Sequence, residues 1–380
     1  MKYSLKKILI VTGETSGDHH GARVIKELRK LHPSISVCGI GGDELEKTGA
    51  ELLYHSRYLS VIGIIEVLAS ASHIFKAFQA VKKQIKTAPP DLLILIDYPD
   101  FNLRIASIAH KKKVPVLYYI SPQIWAWRRG RAKKIARIVD NMAVIFPFET
   151  KFYEEVGLPV HFVGHPLMDR EVKEQNTSKE IIAIKQSSGN PVIGLLPGSR
   201  KGEINTLLPI MLKAAVIIKK KLPAAQFIIP LAPGIERDFI NPMLAQTEID
   251  SRMTTDCFYE TLEACDMAVV ASGTATLETA VMLKPMVIIY KVSLMTYLIG
   301  KMLIRVPFIG LANLVAGKKV VPELIQNDAT PEKIAAETTA ILNDPHRLEE
   351  IKTDLAAVKK TLGEKGASKE VASLAYEMIK

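Results

Sequence analysis

Cysteine is scarce in this sequence, and the few cysteines are not spaced as a metal-binding or redox pair. They are Cys38, Cys257 and Cys265, an odd number with no C-x-x-C arrangement. This excludes a disulfide-stapled framework and a thiolate zinc site, and it is typical of a protein in a reducing cytoplasm. The adjacent histidines His19 and His20 predict no metal site either, because neighbouring side chains diverge on a helix.

Long uninterrupted apolar runs are also missing. The apolar residues near the start turn polar at Thr12, which is too soon for a secretory signal peptide. No stretch reaches about 18 uncharged apolar residues, so no membrane-spanning helix is expected. The two longest apolar stretches are each interrupted by polar or charged residues, residues 59–75 by Glu66 and His73 and residues 292–310 by Lys301 and Arg305.

Acidic residues are almost absent from two regions of a chain whose net charge is +10. Residues 101–140 carry ten lysines and arginines against one acid, and residues 291–319 carry five cations and no acid. Such clusters attract polyanions, although surface helices are often basic without any partner. No nucleic-acid-binding pattern accompanies the charge, whereas each cluster lies beside an apolar stretch. We therefore expect an anionic membrane surface, and not nucleic acid, as a partner.

What remains is the composition of a soluble α/β protein, with 48% apolar, 24% charged and 6% aromatic residues. Residues 7–21 and 191–204 share one pattern, a buried strand followed by a glycine-containing turn and a helix start. Short continuous apolar runs follow each of them, as is typical of parallel strands covered on both faces. The chain is therefore predicted to form two Rossmann-like parallel-sheet domains facing a cleft, joined by a polar linker at residues 171–190.

Ligands of open α/β sheets bind at the carboxyl ends of the strands, so residues there are the candidates for chemistry. Asp97 directly follows the apolar run Leu92–Ile96 and is the preferred general base, while Asp100 and Asn102 follow in a turn where Asp100 could instead cap a helix. The turn after the first strand has glycines spaced neither as G-x-G-x-x-G nor as a P-loop. Its amides could bind an anion and Glu14 a hydroxyl, or it could be a connecting turn only.

The second half offers an anion-binding pattern at two strand ends. Arg200 follows Gly198 and Ser199, and a guanidinium there could bind a diphosphate with paired hydrogen bonds. The segment Ser272–Thr274 opens a helix with amides and hydroxyls suited to phosphate, and Glu278 could bind ribose hydroxyls or be a solvated helix residue. In the first half, Trp125 and Trp127 lie beside Arg128 and could pack in the core or line a site for a phosphorylated apolar ligand.

An ordered set of short motifs resembles the lipid-A-disaccharide synthase family. The motifs run from about residue 8 to about residue 330 and are Gly13-Glu-Thr-Ser-Gly-Asp18, Ile96-Asp-Tyr-Pro-Asp-Phe-Asn102, Trp125-Ala-Trp-Arg128, Leu195-Leu-Pro-Gly-Ser-Arg200, Ser272-Gly-Thr-Ala-Thr-Leu-Glu278 and Asn313-Leu-Val-Ala-Gly317. The resemblance implies an inverting glycosyltransferase of the two-domain GT-B type, which joins UDP-2,3-diacylglucosamine to 2,3-diacylglucosamine 1-phosphate by a β(1→6) bond and releases UDP. It also implies a peripheral location on the cytoplasmic face of the inner membrane, without a metal or other cofactor.

Site residues follow from the same resemblance, motif by motif. Asp97 would be the general base. Around the substrates would lie Glu14, Asp100, Asn102, Trp127 and Arg128. UDP would be held by Ser199, Arg200, Ser272, Gly273, Thr274, Glu278 and Asn313. An interfacial membrane-docking segment, which could equally be a core-facing helix, would present Ile64, Ile65, Val67, Leu68, Phe75 and Phe78.

The predicted domain bounds are 1–170 for the acceptor and membrane-docking domain and 191–344 for the UDP-sugar domain, with helices of 345–380 returning to the first domain. Other functions stay open at this point: a UDP-N-acetylglucosamine 2-epimerase, another lipid glycosyltransferase of the GT-B type, or a non-catalytic nucleotide-sugar-binding protein. The oligomeric state is also open, with a homodimer as one alternative.

Overall fold

The chain folds into two compact units, each built on one parallel β-sheet. The computed structural model describes residues 5–59, 64–123, 129–169, 179–186, 189–303 and 306–380. One unit comprises Met1–Arg170 and Leu362–Lys380, and the other comprises Glu171–Thr361. The predicted fold class, two Rossmann-like parallel-sheet domains, is confirmed.

The first unit alternates strands and helices, as the spacing of apolar runs predicts. Its strands are β1 (Lys6–Thr12), β2 (Ile35–Gly41), β3 (Glu51–His55), β4 (Leu92–Ile96), β5 (Val116–Tyr119), β6 (Asn141–Val144) and β7 (Val160–Phe162). Its helices up to this point are α1 (Thr15–Leu31), α2 (Asp43–Glu46), α3 (Ile64–Thr87), α4 (Pro99–Lys111), α5 (Ala132–Ile135) and α6 (Phe148–Glu154).

The strand order of this sheet, β3-β2-β1-β4-β5-β6-β7, reverses direction between β1 and β4. Val11 pairs with Leu95 and Thr12 with Ile96, so the two strands end side by side. Loops that leave neighbouring strands in opposite directions open a crevice at that point, which is where doubly wound sheets bind ligands. The strand ends of β1 and β4 therefore place Glu14 and Asp97 at the same edge of the sheet.

The second unit repeats this arrangement. Its strands are β8 (Val192–Leu196), β9 (Gln226–Leu231), β10 (Ser251–Thr255), β11 (Met267–Ala271), β12 (Met286–Tyr290) and β13 (Glu323–Ile325). Its helices are α7 (Lys179–Gln186), α8 (Lys201–Lys221), α9 (Arg237–Leu244), α10 (Phe258–Ala264), α11 (Thr274–Val281), α12 (Leu294–Leu303), α13 (Leu311–Ala316), α14 (Pro331–Leu342) and α15 (Pro345–Thr361). The order β10-β9-β8-β11-β12-β13 reverses between β8 and β11, which end side by side.

The last helix, α16 (Ala367–Ile379), belongs to the first unit. Its apolar residues Val371, Ala372, Ala375 and Ile379 share one core with β1, β4 and α1, on the opposite face of the sheet from α3 and α4. The structure differs from the predicted bounds at α15, because this helix packs against α11 and α13 in the second unit. Among the described residues, no helix has the length and apolar character needed to cross a bilayer.

Candidate active site

Asp97 leaves the end of β4 in an unusual backbone conformation. Asp97 and Tyr98 have φ angles of 47° and 48°, in the left-handed region. The N–H of Asp97 donates to the carbonyl oxygen of Tyr119 on β5 at 3.1 Å. Its own carbonyl oxygen accepts hydrogen bonds from Asn102 Nδ2 at 2.7 Å and from the Tyr118 hydroxyl at 2.6 Å. Both peptide groups that flank the Cα atom of Asp97 are thereby held by neighbours.

The pKa of the Asp97 carboxyl is raised from 3.8 to about 6. Partial burial is the main cause, since it penalises the charged form, and the nearby carboxylate of Glu14 adds to the shift. A hydrogen bond from the backbone of Tyr98 acts in the opposite direction. Glu14 itself is exposed at the start of α1. A carboxylate with a pKa near neutrality accepts a proton more readily than an ordinary aspartate, as a general base requires.

The Asp97 side chain lines a polar cavity of about 270 Å³. Gln123 and Arg131 line the same cavity, together with Ser121 and Glu149. Glu149 is buried and accepts hydrogen bonds from the Ser121 hydroxyl and from the N–H of Phe146 at 3.1 Å. The sequence analysis missed Ser121 and Glu149, although Ser121 comes two residues after the apolar strand β5, as Asp97 comes directly after β4.

An apolar cavity of about 650 Å³ adjoins the polar one, and Pro99 and Asp100 line both. Its aromatic wall consists of Phe75, Phe78, Tyr98 and Phe101. The ring of Phe78 packs edge-on against Phe101 with centroids 5.9 Å apart, and the Tyr98 ring is 5.6 Å from Phe101. The two cavities together give this sheet edge a polar half that contains the carboxylate and an apolar half.

The predicted docking residues fall into two groups. The side chains of Ile64, Ile65, Val67 and Leu68 lie outside the described residues, although α3 begins at Ile64. Phe75 is 62% exposed, as an interfacial residue needs to be. Phe78 is partly buried, and its ring packs against the core.

Asp100 and Asn102 have different environments. Asp100 is exposed on the first turn of α4 and forms an ion pair with Arg131 at 3.1 Å. Asn102, predicted as a substrate-binding residue, is fully buried, and its amide donates to the carbonyl oxygens of Ile96 and Asp97. The amide nitrogen of Asn102 therefore holds the backbone of the strand end, and its predicted contact with the substrate stays a prediction. The predicted site residues Trp127 and Arg128 lie outside the described residues.

In the second unit, the loops after β8 and β11 bring polar groups to one edge of the sheet. Ser199 and Arg200 are exposed, and Arg200 pairs with Glu203 at 3.1 Å. Gly273 and Thr274 are exposed at the start of α11, where unpaired amides carry partial positive charge. Because β8 and β11 are adjacent, these groups can act on one anion.

Three further predicted UDP-binding residues make protein contacts. The hydroxyl of Ser272 donates to the carbonyl oxygen of Ile309 at 3.2 Å, and Glu278 accepts a hydrogen bond from the Tyr259 hydroxyl. Asn313 is fully buried.

The Asn313 amide donates to Val321 O at 2.9 Å and to Glu323 Oε1 at 2.8 Å, and it accepts from the N–H groups of Val320 and Val321. An asparagine amide has two donors and two acceptor positions, so the side chain of Asn313 is fully used within the protein. The predicted role of Asn313 in binding UDP stays a prediction.

Within the described part of the chain, no group of three or more histidine, cysteine, aspartate or glutamate side chains is placed to hold a metal ion. The polar groups at the first sheet edge are the Asp97 carboxylate and the other polar residues that line the same cavity. At the second edge they are the exposed amides, hydroxyls and guanidinium already described.

Comparison with known proteins gives the family. A model of the family described as lipid-A-disaccharide synthetase matches residues 8–378. Lipid-A-disaccharide synthase from Geobacter metallireducens (strain ATCC 53774 / DSM 7210 / GS-15) is 49% identical over 374 residues, which cover 98% of this chain and 97% of that protein. The synthase of Coxiella burnetii (strain Dugway 5J108-111) is 41% identical over 376 residues, which cover 99% of each chain.

Solved structures with low sequence identity share the fold. UDP-GlcNAc 2-epimerase from Neisseria meningitidis, bound to UDP-GlcNAc, has a TM-score of 0.66 at 15% identity and covers 98% of this chain and 100% of its own. The glycosyltransferase of kitacinnamycin has a TM-score of 0.67 at 14% identity, with 99% and 100% covered. The resemblance noted in the sequence is confirmed: the chain belongs to the lipid-A-disaccharide synthetase family and is a glycosyltransferase of lipid A biosynthesis.

Proposed function

We propose that this chain transfers 2,3-diacylglucosamine from its UDP derivative to the 6-hydroxyl of 2,3-diacylglucosamine 1-phosphate. The Asp97 carboxylate takes the hydroxyl proton while the hydroxyl oxygen attacks the anomeric carbon from the face opposite UDP. The bond between that carbon and the diphosphate oxygen breaks, and its electron pair leaves with UDP. The product has a β(1→6) bond, with inversion at the anomeric carbon.

The observation that carries this proposal is the environment of Asp97. The carboxylate lines a cavity at the sheet edge, and its pKa of about 6 leaves it mostly ionised at pH 7 yet basic enough to accept a proton. The second carboxylate, Glu14, disfavours a permanent negative charge on Asp97 and favours the protonated form that the reaction creates. We expect kcat/KM to fall below about pH 6, as Asp97 becomes protonated.

The second sheet edge supports the binding of UDP. Without a metal, the leaving diphosphate needs cations and preorganised amides, which Arg200 and the start of α11 supply. Ser199 and Ser272 add hydroxyls near the same phosphates, and Glu278 is close enough to the helix start to bind the ribose. The bound UDP-GlcNAc of the Neisseria meningitidis epimerase is an observation on that protein, and its shared fold supports a nucleotide sugar as the donor here.

The adjoining cavities support a substrate that is polar at one end and apolar at the other. The polar cavity would take the acceptor sugar beside Asp97, and the apolar cavity lined by Phe78 and Phe101 would take part of an acyl chain. Acyl substrates reside in a membrane, so we propose peripheral attachment to the anionic cytoplasmic face of the inner membrane. The exposed ring of Phe75 beside Lys76 supports this.

The decisive experiment replaces Asp97 with asparagine, which keeps the shape of the side chain and tolerates the left-handed backbone. We expect Asp97→Asn to lose at least about a hundredfold in kcat, in line with the usual contribution of a general base, while UDP binds with unchanged affinity. Glu46→Gln is the control, because Glu46 is an exposed carboxylate on α2. Activity would be followed as UDP release and as disaccharide formed from both diacyl substrates.

Near-normal turnover by Asp97→Asn would reject Asp97 as the base. Incubation with UDP-N-acetylglucosamine alone separates the proposed transfer from epimerisation, since a transferase without its acceptor leaves the sugar configuration at C2 unchanged. Formation of the 2-epimer under these conditions would reject the proposed reaction.

A further inference from the structure

The backbone at the end of β4 is strained, and identifiable groups of the protein hold it in this conformation. Left-handed φ angles at two consecutive residues that are not glycine are unfavourable, although less so for aspartate than for tyrosine. Strained residues of this kind persist only where their surroundings hold them, and they cluster at functional sites. Here the strained pair is Asp97 and Tyr98, and the groups that hold it come from β5 and α4.

Two side chains act on one atom, the carbonyl oxygen of Asp97. The Tyr118 hydroxyl donates to it at 2.6 Å, and Asn102 Nδ2 donates at 2.7 Å while also contacting the carbonyl oxygen of Ile96 at 3.2 Å. Asn102 is fully buried, and so is Tyr118. Neither bond belongs to the regular pairing of the sheet, in which the N–H of Asp97 already donates to Tyr119.

The geometric consequence concerns the side chain of Asp97. With the N–H bonded to β5 and the carbonyl oxygen bonded to two side chains, the peptide planes on both sides of the Cα atom are fixed. The direction of the Cα–Cβ bond then follows, and Asp97 is one of the residues that line the polar cavity. Without the two side-chain donors, the strained conformation has no interior hydrogen bond to its carbonyl oxygen in the described structure.

We infer that Tyr118 and Asn102 are positioning residues, which hold the carbonyl oxygen of Asp97 and so direct its carboxylate toward the acceptor hydroxyl. This inference rests on the proposed role of Asp97 as the base. Both side chains are fully buried in this structure. Misplacement of a reacting group by about 1 Å is enough to lower a rate by about a hundredfold, so a hydrogen bond one residue away from the chemistry can matter.

The sharpest test removes one oxygen atom. Tyr118→Phe deletes the hydroxyl donor, and Tyr119→Phe deletes the same atom from the next residue of β5, on the opposite face of the sheet. The Tyr119 hydroxyl is buried and has no hydrogen-bond partner among the described residues, and the substitution leaves the backbone bond to Asp97 intact. We expect Tyr118→Phe to lower kcat by about ten- to a hundredfold with KM within about twofold, while Tyr119→Phe stays near the wild type.

The pH profile distinguishes positioning from general loss of stability. If Asp97 is released from its restraint, its carboxylate turns toward solvent and loses part of the burial that raises its pKa. The acidic limb of kcat/KM in Tyr118→Phe should then move from about pH 6 toward the ordinary range near 4. Asn102→Ala should likewise lower kcat while KM stays nearly unchanged. If Asn102→Ala fails to fold, Tyr118→Phe alone tests the inference.

Two results would overturn the inference: an unchanged kcat and pH limb in Tyr118→Phe, or equal losses in Tyr118→Phe and Tyr119→Phe. The proposed function fails separately, through an active Asp97→Asn protein. An inactive Asp97→Asn protein with a fully active Tyr118→Phe protein would leave the base assigned and remove only the positioning role.

Discussion

At the scale of single residues, Asp97 carries two free-energy costs at once, a left-handed backbone and a partly buried carboxylate beside Glu14. Burial raises the pKa of the carboxyl toward neutrality, as the proposed role of general base requires, and the left-handed backbone fixes the direction of the side chain. Proteins with such a residue are commonly less stable than variants in which an uncharged side chain replaces it.

The electrostatic cost predicts a stability change with a definite sign. The pKa of Asp97 is about 6 in the folded protein against 3.8 ordinarily, so the folded state binds more protons between these pH values and stability falls as pH rises through them. Asp97→Asn should therefore be more stable than the wild type by about 1–3 kcal/mol at pH 8 and show no such gain at pH 3.5. Thermal denaturation at both pH values measures this, with Glu46→Gln as the control. A variant less stable than the wild type at pH 8 contradicts the prediction.

Gly13 predicts a second effect at this scale. A Cβ atom on Gly13 would lie 2.2–2.6 Å from ring atoms of Tyr98, so the ring cannot keep its place beside Phe101. We expect Gly13→Ala to destabilise the protein by about 1–3 kcal/mol and to lower activity, since the residue next to the base must move.

Two further variants control this prediction. Gly202→Ala adds a methyl group where no atom lies within 4 Å and should cost no stability. The double variant Gly13→Ala with Tyr98→Ala should recover part of the loss by removing the clash. Wild-type melting of Gly13→Ala would contradict the close packing of this ring.

The two asparagines show the limit of sequence reasoning about residues. Asn102 lies in α4 shortly after β4, and Asn313 lies in α13 between β12 and β13. An amide in such a motif can face either a ligand or the backbone, and the sequence does not give the direction of the side chain. Asp97 directly follows an apolar strand and lines a cavity at the sheet edge, and its role as the base stays a prediction.

At the scale of elements, most strands could be predicted from the sequence, but three strands at the edges of the sheets could not. β3, β10 and β13 lie at the margins of their sheets, and most of their residues are partly exposed. These three edge strands are not covered on all sides, and they lack the continuous apolar run by which a parallel strand is recognised. The other strands, including the edge strand β7 within Val160–Val163, were predicted from such runs, which is why the fold class could be predicted from the sequence.

Helix α3 carries a prediction about the membrane. If its exposed Phe75 inserts among acyl chains, Phe75→Ser should weaken binding to vesicles of anionic phospholipid by about tenfold without lowering the melting temperature. Ile182→Ser is the matched control, because Ile182 on α7 is also exposed. Phe78→Ser should instead lower stability, since Phe78 packs on Phe101. Equal vesicle binding by Phe75→Ser and the wild type, measured by sedimentation, would reject docking through this residue.

At the scale of the whole molecule, the chain returns to its first unit at α16, and Asp169 caps the N-terminus of this helix. Asp169 accepts hydrogen bonds from the N–H groups of Gly366, Ala367 and Ser368, the last two at 3.1 and 2.9 Å, and from the Ser368 hydroxyl at 3.0 Å. A carboxylate at a helix N-terminus satisfies free amides and opposes the positive end of the helix dipole.

Removing this cap should loosen α16. We expect Asp169→Ala to lower the stability of the first unit by about 1–3 kcal/mol and to speed proteolytic cleavage between Leu362 and Gly366. Asp328→Ala is the control, because its ion pair with Lys333 is at the surface and is worth less than about 1 kcal/mol. Equal cleavage of the two variants would show that Asp169 does not hold the helix.

The late position of α16 in the chain affects how the protein is made. The first sheet is translated within the first 170 residues, yet one of its faces lacks part of its apolar cover until residues 367–379 have been added. At about 5–20 residues per second, a ribosome needs roughly ten to forty seconds for that interval. During this time the nascent first unit exposes the surface that Val371, Ala372, Ala375 and Ile379 later cover, and exposed apolar surface of this kind favours aggregation until the last helix has been made.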